Sequence, residues 1–180
     1  MSKKFLILLF LIPFQLMFAQ KSLLKDFPEG YTPKEIGKRI AYRFLTEKHA
    51  LHVGKWIGYP ETFYWSGALR YADGAKDKEL IQRLQEKFDF LFTEEKILQP
   101  IMNHVDLNMF GSLPLEFYLV TKDLKYRYLG LPYADSQWEL PRNAKPHEKE
   151  WAEKGYSWQT RLWIDDMYMI TIVQSEAYKA

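Results

Sequence analysis

The chain has 180 residues, with 25 Lys and Arg against 23 Asp and Glu, no Cys, and aromatic side chains at 17% of its positions. The two excess positive charges equal Lys3 and Lys4, so the rest of the chain is neutral, which excludes the basic surface of a nucleic-acid-binding protein. The lack of Cys excludes disulfides, thiolate metal sites and a Cys nucleophile, and an apolar content of 47% argues against disorder.

The first twenty residues have the pattern of an export signal. The two lysines precede an unbroken apolar run over residues 5–14, and Ala19 is a small residue suited to a cleavage point. We expect cleavage after Ala19 or Gln20, leaving residues 21–180 as one domain that is periplasmic or secreted. A membrane-spanning helix needs about 20 apolar residues, and this run is shorter. The chain also has no Cys to which a lipid could be attached, so we predict no stable membrane anchor. The alternative is a buried N-terminal helix.

Six helices are predicted in the body of the chain, in the following order. Thr32 as N-cap, Pro33 in the first turn and Glu35 in a capping box begin the first helix. Further start signals and apolar residues at helical spacing predict helices over 62–72, 77–91, 105–120, about 124–138, and 163 to the end. No segment shows sustained strand alternation, so the sequence predicts an all-α fold. Pro and Gly residues within 139–160 predict a long loop there.

A weak repeat suggests that these helices form stacked hairpins. Gly67 and Gly111 lie in similar segments 44 residues apart, and Asp77 and Asp123 precede the next helices with a spacing of 46. A Gly inside a helix costs about 1 kcal/mol relative to Ala. We therefore predict that both glycines allow the close approach of another helix or of a ligand.

The last helix is apolar almost all round, with Asp165 and Asp166 at its start. Such a helix is predicted to be buried in an inner layer. Buried carboxylates are costly unless they are paired or used in chemistry. Neighbouring helical side chains point about 100° apart, so only one of the two carboxylates would face a cavity. The alternative is that both cap the helix N-terminus.

Asp106 is the second candidate acid, at the start of the fourth predicted helix. It could be only an N-cap, and His104 beside it could be a ligand, a base or a hydrogen-bonded structural residue. His52 and His147 show no metal-binding spacing relative to His104, so we predict no metal site. The sequence also has no phosphate-binding Gly-rich loop and no nucleophile elbow.

Three segments carry a resemblance to a known family. Residues 162–169, Leu-Trp-Ile-Asp-Asp-Met-Tyr-Met, resemble the signature of the unsaturated glucuronyl and rhamnogalacturonyl hydrolases, glycoside hydrolase families 88 and 105. Residues 105–126, from Val105-Asp106 through Pro114-Leu115-Glu116 to Lys125-Tyr126, and residues 134–138 are similar to two further family blocks. The resemblance covers about residues 32–180 and implies a double-ring barrel of six helical hairpins, (α/α)6. The chain would supply about half of that barrel, with self-association through the exposed half-barrel faces.

The resemblance implies roles for individual residues. Asp165 would be the general acid/base and is expected to be buried, and Asp106 would assist it and contact the sugar ring, whereas the position of Asp166 is variable in the family. Family members often carry a His-Lys pair before the catalytic Asp. Here residues 155–161 stand in its place, and Arg161 or Lys154 is the candidate for binding the substrate carboxylate. The predicted substrate-binding set is Trp65, His104, Arg161, Trp163 and Tyr168.

The reaction implied by the family needs no cofactor. An Asp protonates C4 of an unsaturated uronyl residue, water adds at C5, and the resulting hemiketal opens and releases the rest of the oligosaccharide. Two alternatives remain at this point. One is a non-catalytic helical-hairpin module that binds carbohydrate or protein, and the other is a different sugar enzyme on the same barrel, such as an epimerase or a conventional glucosidase.

Overall fold

A computed structural model describes residues 26–180 of the chain. The predicted export signal lies outside the described residues. The chain divides into one unit that ends at Ile36 and a second unit, Gly37–Ala180. In the first unit, the Thr32 hydroxyl accepts a hydrogen bond of 3.2 Å from the Glu35 N–H, and the Glu35 carboxylate accepts one of 3.0 Å from the Thr32 N–H, as the predicted capping box requires.

The described residues are mostly helical, which confirms the all-α prediction. The helices are α1 (Pro33–Thr46), α2 (Tyr59–Ala75), α3 (Lys78–Asp89), α4 (Val105–Asn108), α5 (Ser112–Thr121), α6 (Leu124–Ser136), α7 (Pro146–Glu153) and α8 (Ile164–Lys179). Short 3-10 helices lie at Phe90–Phe92, Lys96–Leu98 and Met109–Gly111. Within residues 26–180 no helix combines the length and the apolar character needed to cross a membrane.

Two helical hairpins share the same turn, as the repeat predicts. Lys76 and Lys122 end α2 and α5 in the left-handed conformation, with φ of 56° and 63°. Asp77 and Asp123 follow as N-caps of α3 and α6, and each carboxylate accepts a hydrogen bond of 3.0 Å from a backbone N–H of the new helix. The two hairpins pack through α2 and α5, and α8 packs on α5 and α6.

The core between these hairpins is aromatic. Phe88 lies at its centre, with ring centroids 4.9 Å from Phe117 and 5.6 Å from Tyr126, and Phe117 stacks on Tyr126 at 5.2 Å. Phe110 and Tyr133 extend the same cluster. Much of the high aromatic content is therefore used for packing. These rings stabilise the core through the apolar area that they bury and through the favourable geometry of their contacts.

Two predicted boundaries differ from the structure because of proline. The predicted helix over 105–120 is divided into α4, a 3-10 turn at Met109–Gly111 and α5. Pro114 lacks an N–H and its ring crowds the carbonyl four residues earlier, that of Phe110, which favours a break here. Because α5 begins at Ser112, Pro114 lies in its first turn, where the missing N–H is tolerated. The predicted loop over 139–160 contains α7, which begins at Pro146, a position where the missing N–H costs nothing.

A short β-hairpin is a feature that the sequence analysis missed. Leu51–His52 pairs antiparallel with Trp56–Ile57. Val53 and Gly54 form its turn with φ of 46° and 70°. Two residues per strand are too few to produce a visible alternation of apolar and polar side chains.

The structure corrects two further expectations. A Cβ placed at Gly67 would meet open space, so this glycine does not serve close packing, whereas Gly111 does. Helix α8 is not buried all round: Met169 and Val173 face the core, but Ile164, Met167 and Tyr178 are exposed among the described residues. Apolar composition alone does not determine burial, because the described neighbours α5 and α6 cover only one side of α8.

Candidate active site

The two adjacent aspartates at the start of α8 have opposite environments. Asp166 is only 1% exposed, whereas the Asp165 side chain is 48% exposed. This corrects the expectation that Asp165 is buried. The difference follows from helix geometry, because consecutive side chains point about 100° apart and only one of the two can face the protein interior.

Asp166 is held by the turn that precedes the helix. Its Oδ2 accepts backbone hydrogen bonds of 2.5 Å from Arg161 and 3.3 Å from Trp163. Leu162 between them has a left-handed φ of 60°, which lets the chain wrap around the carboxylate. The predicted capping role therefore belongs to Asp166, the third residue of α8.

The Arg161 guanidinium forms an ion pair with the same buried carboxylate. Its Nη2 and Nε donate hydrogen bonds of 2.6 and 3.0 Å to Asp166 Oδ1. Burial raises the pKa of Asp166, but the hydrogen bonds and charge of Arg161 and the backbone N–H of Trp163 outweigh burial and leave the pKa below its ordinary value. Burial likewise lowers the pKa of Arg161, and its pairs with Asp166 and Asp106 more than reverse this effect. Both groups are charged near neutral pH.

Arg161 also reaches Asp106 and Asp165. Its Nη1 and Nη2 donate to the two oxygens of Asp106 at 3.2 and 3.0 Å, and Nη2 lies 3.5 Å from Oδ2 of Asp165. The guanidinium lies over the ring of Trp163, 4.2 Å from its centroid. One side chain thus brings together Asp106 and Asp165, which are far apart in the sequence, as well as the predicted Trp163.

Asp106 is positioned by helix α4. Val105 on this short helix and Met109 in the 3-10 turn that follows it pack against Met169 of α8 in a small apolar cluster, which brings α4 close to the start of α8. His104 is the N-cap of α4, and its Nδ1 accepts a hydrogen bond of 3.2 Å from the Asp106 N–H. The same Nδ1 is 3.6 Å from Asp106 Oδ2, so His104 lies at the site, in a capping role.

Exposed aromatic rings lie along α8 and α2 beyond the aspartates. Tyr168 is half exposed and stacks on Phe63, with ring centroids 5.5 Å apart, and Phe63 meets Tyr59 edge to face at 6.2 Å. Tyr168 was predicted from the sequence to bind substrate, whereas Tyr59 and Phe63 were not named. Their spacing of four residues on one helix face was the signal available.

The structure corrects the prediction for Trp65. Its ring is fully buried, with Phe44 at 5.3 Å, Phe88 at 5.2 Å and His49 at 5.4 Å, so it has no free face for a sugar. It is a core residue, because α2 turns this position toward α1 and α3 rather than outward. Lys154, the other candidate for the substrate carboxylate, pairs with Glu150 on α7 at 2.6 Å.

Comparisons with known proteins bear on the whole helical region. The family model described as Glycosyl Hydrolase Family 88 matches residues 33–180, which contain Asp106, Asp165 and Arg161. No curated protein and no solved structure matches the chain. Over residues 26–180, no group of three or more His, Asp or Glu side chains is arranged to hold a metal ion.

Proposed function

Because this chain belongs to glycosyl hydrolase family 88, we propose that it acts on oligosaccharides that end in an unsaturated glucuronyl or rhamnogalacturonyl-type uronic acid. The observation that carries this proposal is the arrangement at Arg161. Its Nη2 lies 3.0 Å from a carboxylate oxygen of Asp106 and 3.5 Å from one of Asp165, the two acids that the family resemblance assigns to chemistry.

Asp165 is suited to deliver a proton because its side chain is half exposed. A group that transfers a proton must come within hydrogen-bond distance of the reacting atom, and Asp166, at 1% exposure, cannot do so. Asp166 is also fully engaged by Arg161 and the backbone of Trp163. The different environments of the two neighbours support a chemical role for Asp165 and a structural role for Asp166.

The proposed reaction begins with proton transfer from Asp165 to C4 of the C4–C5 double bond. The ring oxygen donates electrons to the positive charge that develops at C5, and water adds there. The carboxylate left on Asp165 accepts a proton from that water, which regenerates the acid. The hemiketal at C5 opens to a ketone and leaves a hemiacetal at C1. This hemiacetal collapses to an aldehyde and releases the remaining oligosaccharide as an alcohol. Asp106 contacts the sugar ring, and the exposed rings of Trp163 and Tyr168 offer apolar faces to the sugar.

An ultraviolet assay tests this proposal. The C4–C5 double bond conjugated with the carboxylate absorbs, and hydration removes that absorbance. We expect the protein to abolish the absorbance of an unsaturated glucuronyl disaccharide and to leave a saturated glucuronyl disaccharide intact. Cleavage of the saturated disaccharide instead would support a conventional glycosidase and overturn the proposed reaction.

A further inference from the structure

We propose that Arg161 is a positioning residue that holds Asp106 and Asp165 in place, and that it does not bind the substrate carboxylate. This inference rests on the proposed function and replaces the role that the sequence alone suggests for Arg161.

The hydrogen-bond donors of the Arg161 guanidinium are largely occupied by protein acceptors. A guanidinium has five N–H groups. Nε donates to Asp166, Nη1 donates to Asp106, and Nη2 donates to both. Four of the five donors are therefore directed at carboxylates of the protein itself. The planar, two-pronged pairing that would recognise a uronate is already used for Asp106.

The charge around Arg161 also disfavours a further carboxylate. Within residues 26–180, Arg161 is the one Lys or Arg side chain that pairs with Asp106, Asp165 and Asp166, and the nearby His104 directs its Nδ1 at the Asp106 N–H. Even with Asp165 protonated, as the proposed reaction requires, one positive charge faces the two carboxylates of Asp106 and Asp166. It does not form an attractive site for a third, since like charges brought together are unfavourable. A substrate carboxylate would have to displace Asp106 from the guanidinium to pair with it.

Arg161 is also held firmly in place. Its side chain is 24% exposed, and the guanidinium is fixed on one side by the buried Asp166 and on another by the ring of Trp163 at 4.2 Å. The Arg161 backbone N–H is bound to the same Asp166 at 2.5 Å. Because Arg161 is held at both its backbone and its guanidinium, it can fix the positions of the side chains that it contacts. These are Asp106 on α4 and Asp165 on α8.

A group that fixes the relative placement of two reacting acids should affect turnover more than substrate binding. A displacement of about 1 Å in such an arrangement costs about 100-fold in rate. We therefore expect Arg161→Gln to lower kcat by about 100-fold with little change in KM. Arg161→Lys keeps the charge but loses the two-pronged geometry, so it should restore kcat only in part.

The decisive experiment compares a substrate with its methyl ester. Steady-state kinetics of wild type, Arg161→Gln and Arg161→Lys are measured on an unsaturated uronyl disaccharide and on the same disaccharide with its carboxylate esterified. A positioning role predicts the same fall in kcat on both substrates. A rise in KM that is confined to the free acid would show that Arg161 binds the substrate carboxylate and would overturn the proposal. Arg43→Gln is the matched control, because the Arg43 side chain is on the exposed surface of α1 and pairs with Glu47, four residues later.

A second measurement keeps this inference separate from the proposed function. If the wild-type chain acts on neither substrate, the proposed function fails, but the positioning role can still be measured by thermal unfolding of Arg161→Gln, Asp106→Asn and the double variant. If Arg161 and Asp106 are coupled, the melting temperature of the double variant should fall by less than the sum of the decreases in the two single variants. Strictly additive changes would show that Arg161 does not hold Asp106.

Discussion

The backbone at Gly111 lies so close to Tyr133 that a Cβ added to Gly111 would be 2.2 Å from the Cβ of Tyr133. The approach is mutual, since Gly130 of α6 lies beside the Gly111 carbonyl, with its own Cβ position 3.0 Å from that oxygen. This contact seats α6 against the 3-10 turn that follows α4. It therefore contributes to the placement of Asp106, which lies on α4 five residues before Gly111.

Alanine at the two repeat-related glycines should have opposite effects. Gly111→Ala would force apart the packed elements, at a cost of about 1–3 kcal/mol in the free energy of unfolding. In Gly67→Ala, the added Cβ lies in open space on α2. This change should stabilise the protein by about 0.5–1 kcal/mol, because alanine loses less backbone entropy on folding than glycine. Urea unfolding of the two variants measures both. Equal effects would mean that the close approach at Gly111 is not formed.

Asp166→Asn should destabilise the protein in a pH-dependent way. The pKa of Asp166 in the folded protein lies below its ordinary value of 3.8, so its ionised form contributes stability that is present above that value and is lost as the pH falls through the lower folded pKa. Near neutral pH we expect a loss of about 2–3 kcal/mol, since Asp166 is buried and paired with Arg161.

The matched control for Asp166→Asn is the adjacent residue. Asp165 is half exposed, and Asp165→Asn should change the free energy of unfolding by less than about 1 kcal/mol. Urea unfolding at pH 7 and at acidic pH distinguishes the two. If the difference in the free energy of unfolding between wild type and Asp166→Asn does not become smaller at acidic pH, the described ion pair is contradicted.

Glu116 should show the opposite pH dependence. Burial raises its pKa above the ordinary 4.5, although Arg70 and the Ser66 hydroxyl, which donates at 2.6 Å, both lower it. Because the folded protein binds this proton more tightly than the unfolded chain, stability falls as the pH rises from 4.5 through the raised pKa. Glu116→Gln removes that decline, so its stability relative to wild type should rise over this interval. A constant difference between the two proteins would count against the raised pKa.

Trp65 and Trp163, which the sequence analysis both placed in the substrate-binding set, should give different effects when mutated. Trp65→Ala removes a fully buried ring and should cost about 3–5 kcal/mol of stability. Trp163→Ala removes an exposed ring beside Arg161 and should affect stability far less while impairing turnover of the oligosaccharide. Thermal unfolding and steady-state kinetics on both variants make the comparison. A loss of turnover without loss of stability in Trp65→Ala would contradict its assignment to the core.

Local sequence signals predicted much of the fold. The capping box at Thr32 and Glu35 and the paired turns at Asp77 and Asp123 lie where the sequence placed them, because such caps depend on residues a few positions apart. The motif around Asp165 correctly located the start of α8.

What the sequence could not supply was the tertiary environment of each side chain. Asp165 and Asp166 are chemically identical, and which one is buried depends on how α8 packs against its neighbours. The contact between Arg161 and Asp106 joins residues 55 positions apart, so no local pattern records it. Trp65 lies on a helix that also carries exposed rings, and only the packing of α1 and α3 shows that it points inward.

The most direct test of the account is where the proton goes and which residue delivers it. The unsaturated disaccharide is incubated in D2O with wild-type protein or with Asp165→Asn, and the released uronic acid is analysed by NMR. We predict that product sampled early, before exchange beside the C5 ketone, carries one deuterium at a single C4 position with the wild-type protein. We predict loss of turnover with Asp165→Asn, which remains folded. Release of product without deuterium at C4, or undiminished turnover by Asp165→Asn, would contradict the account.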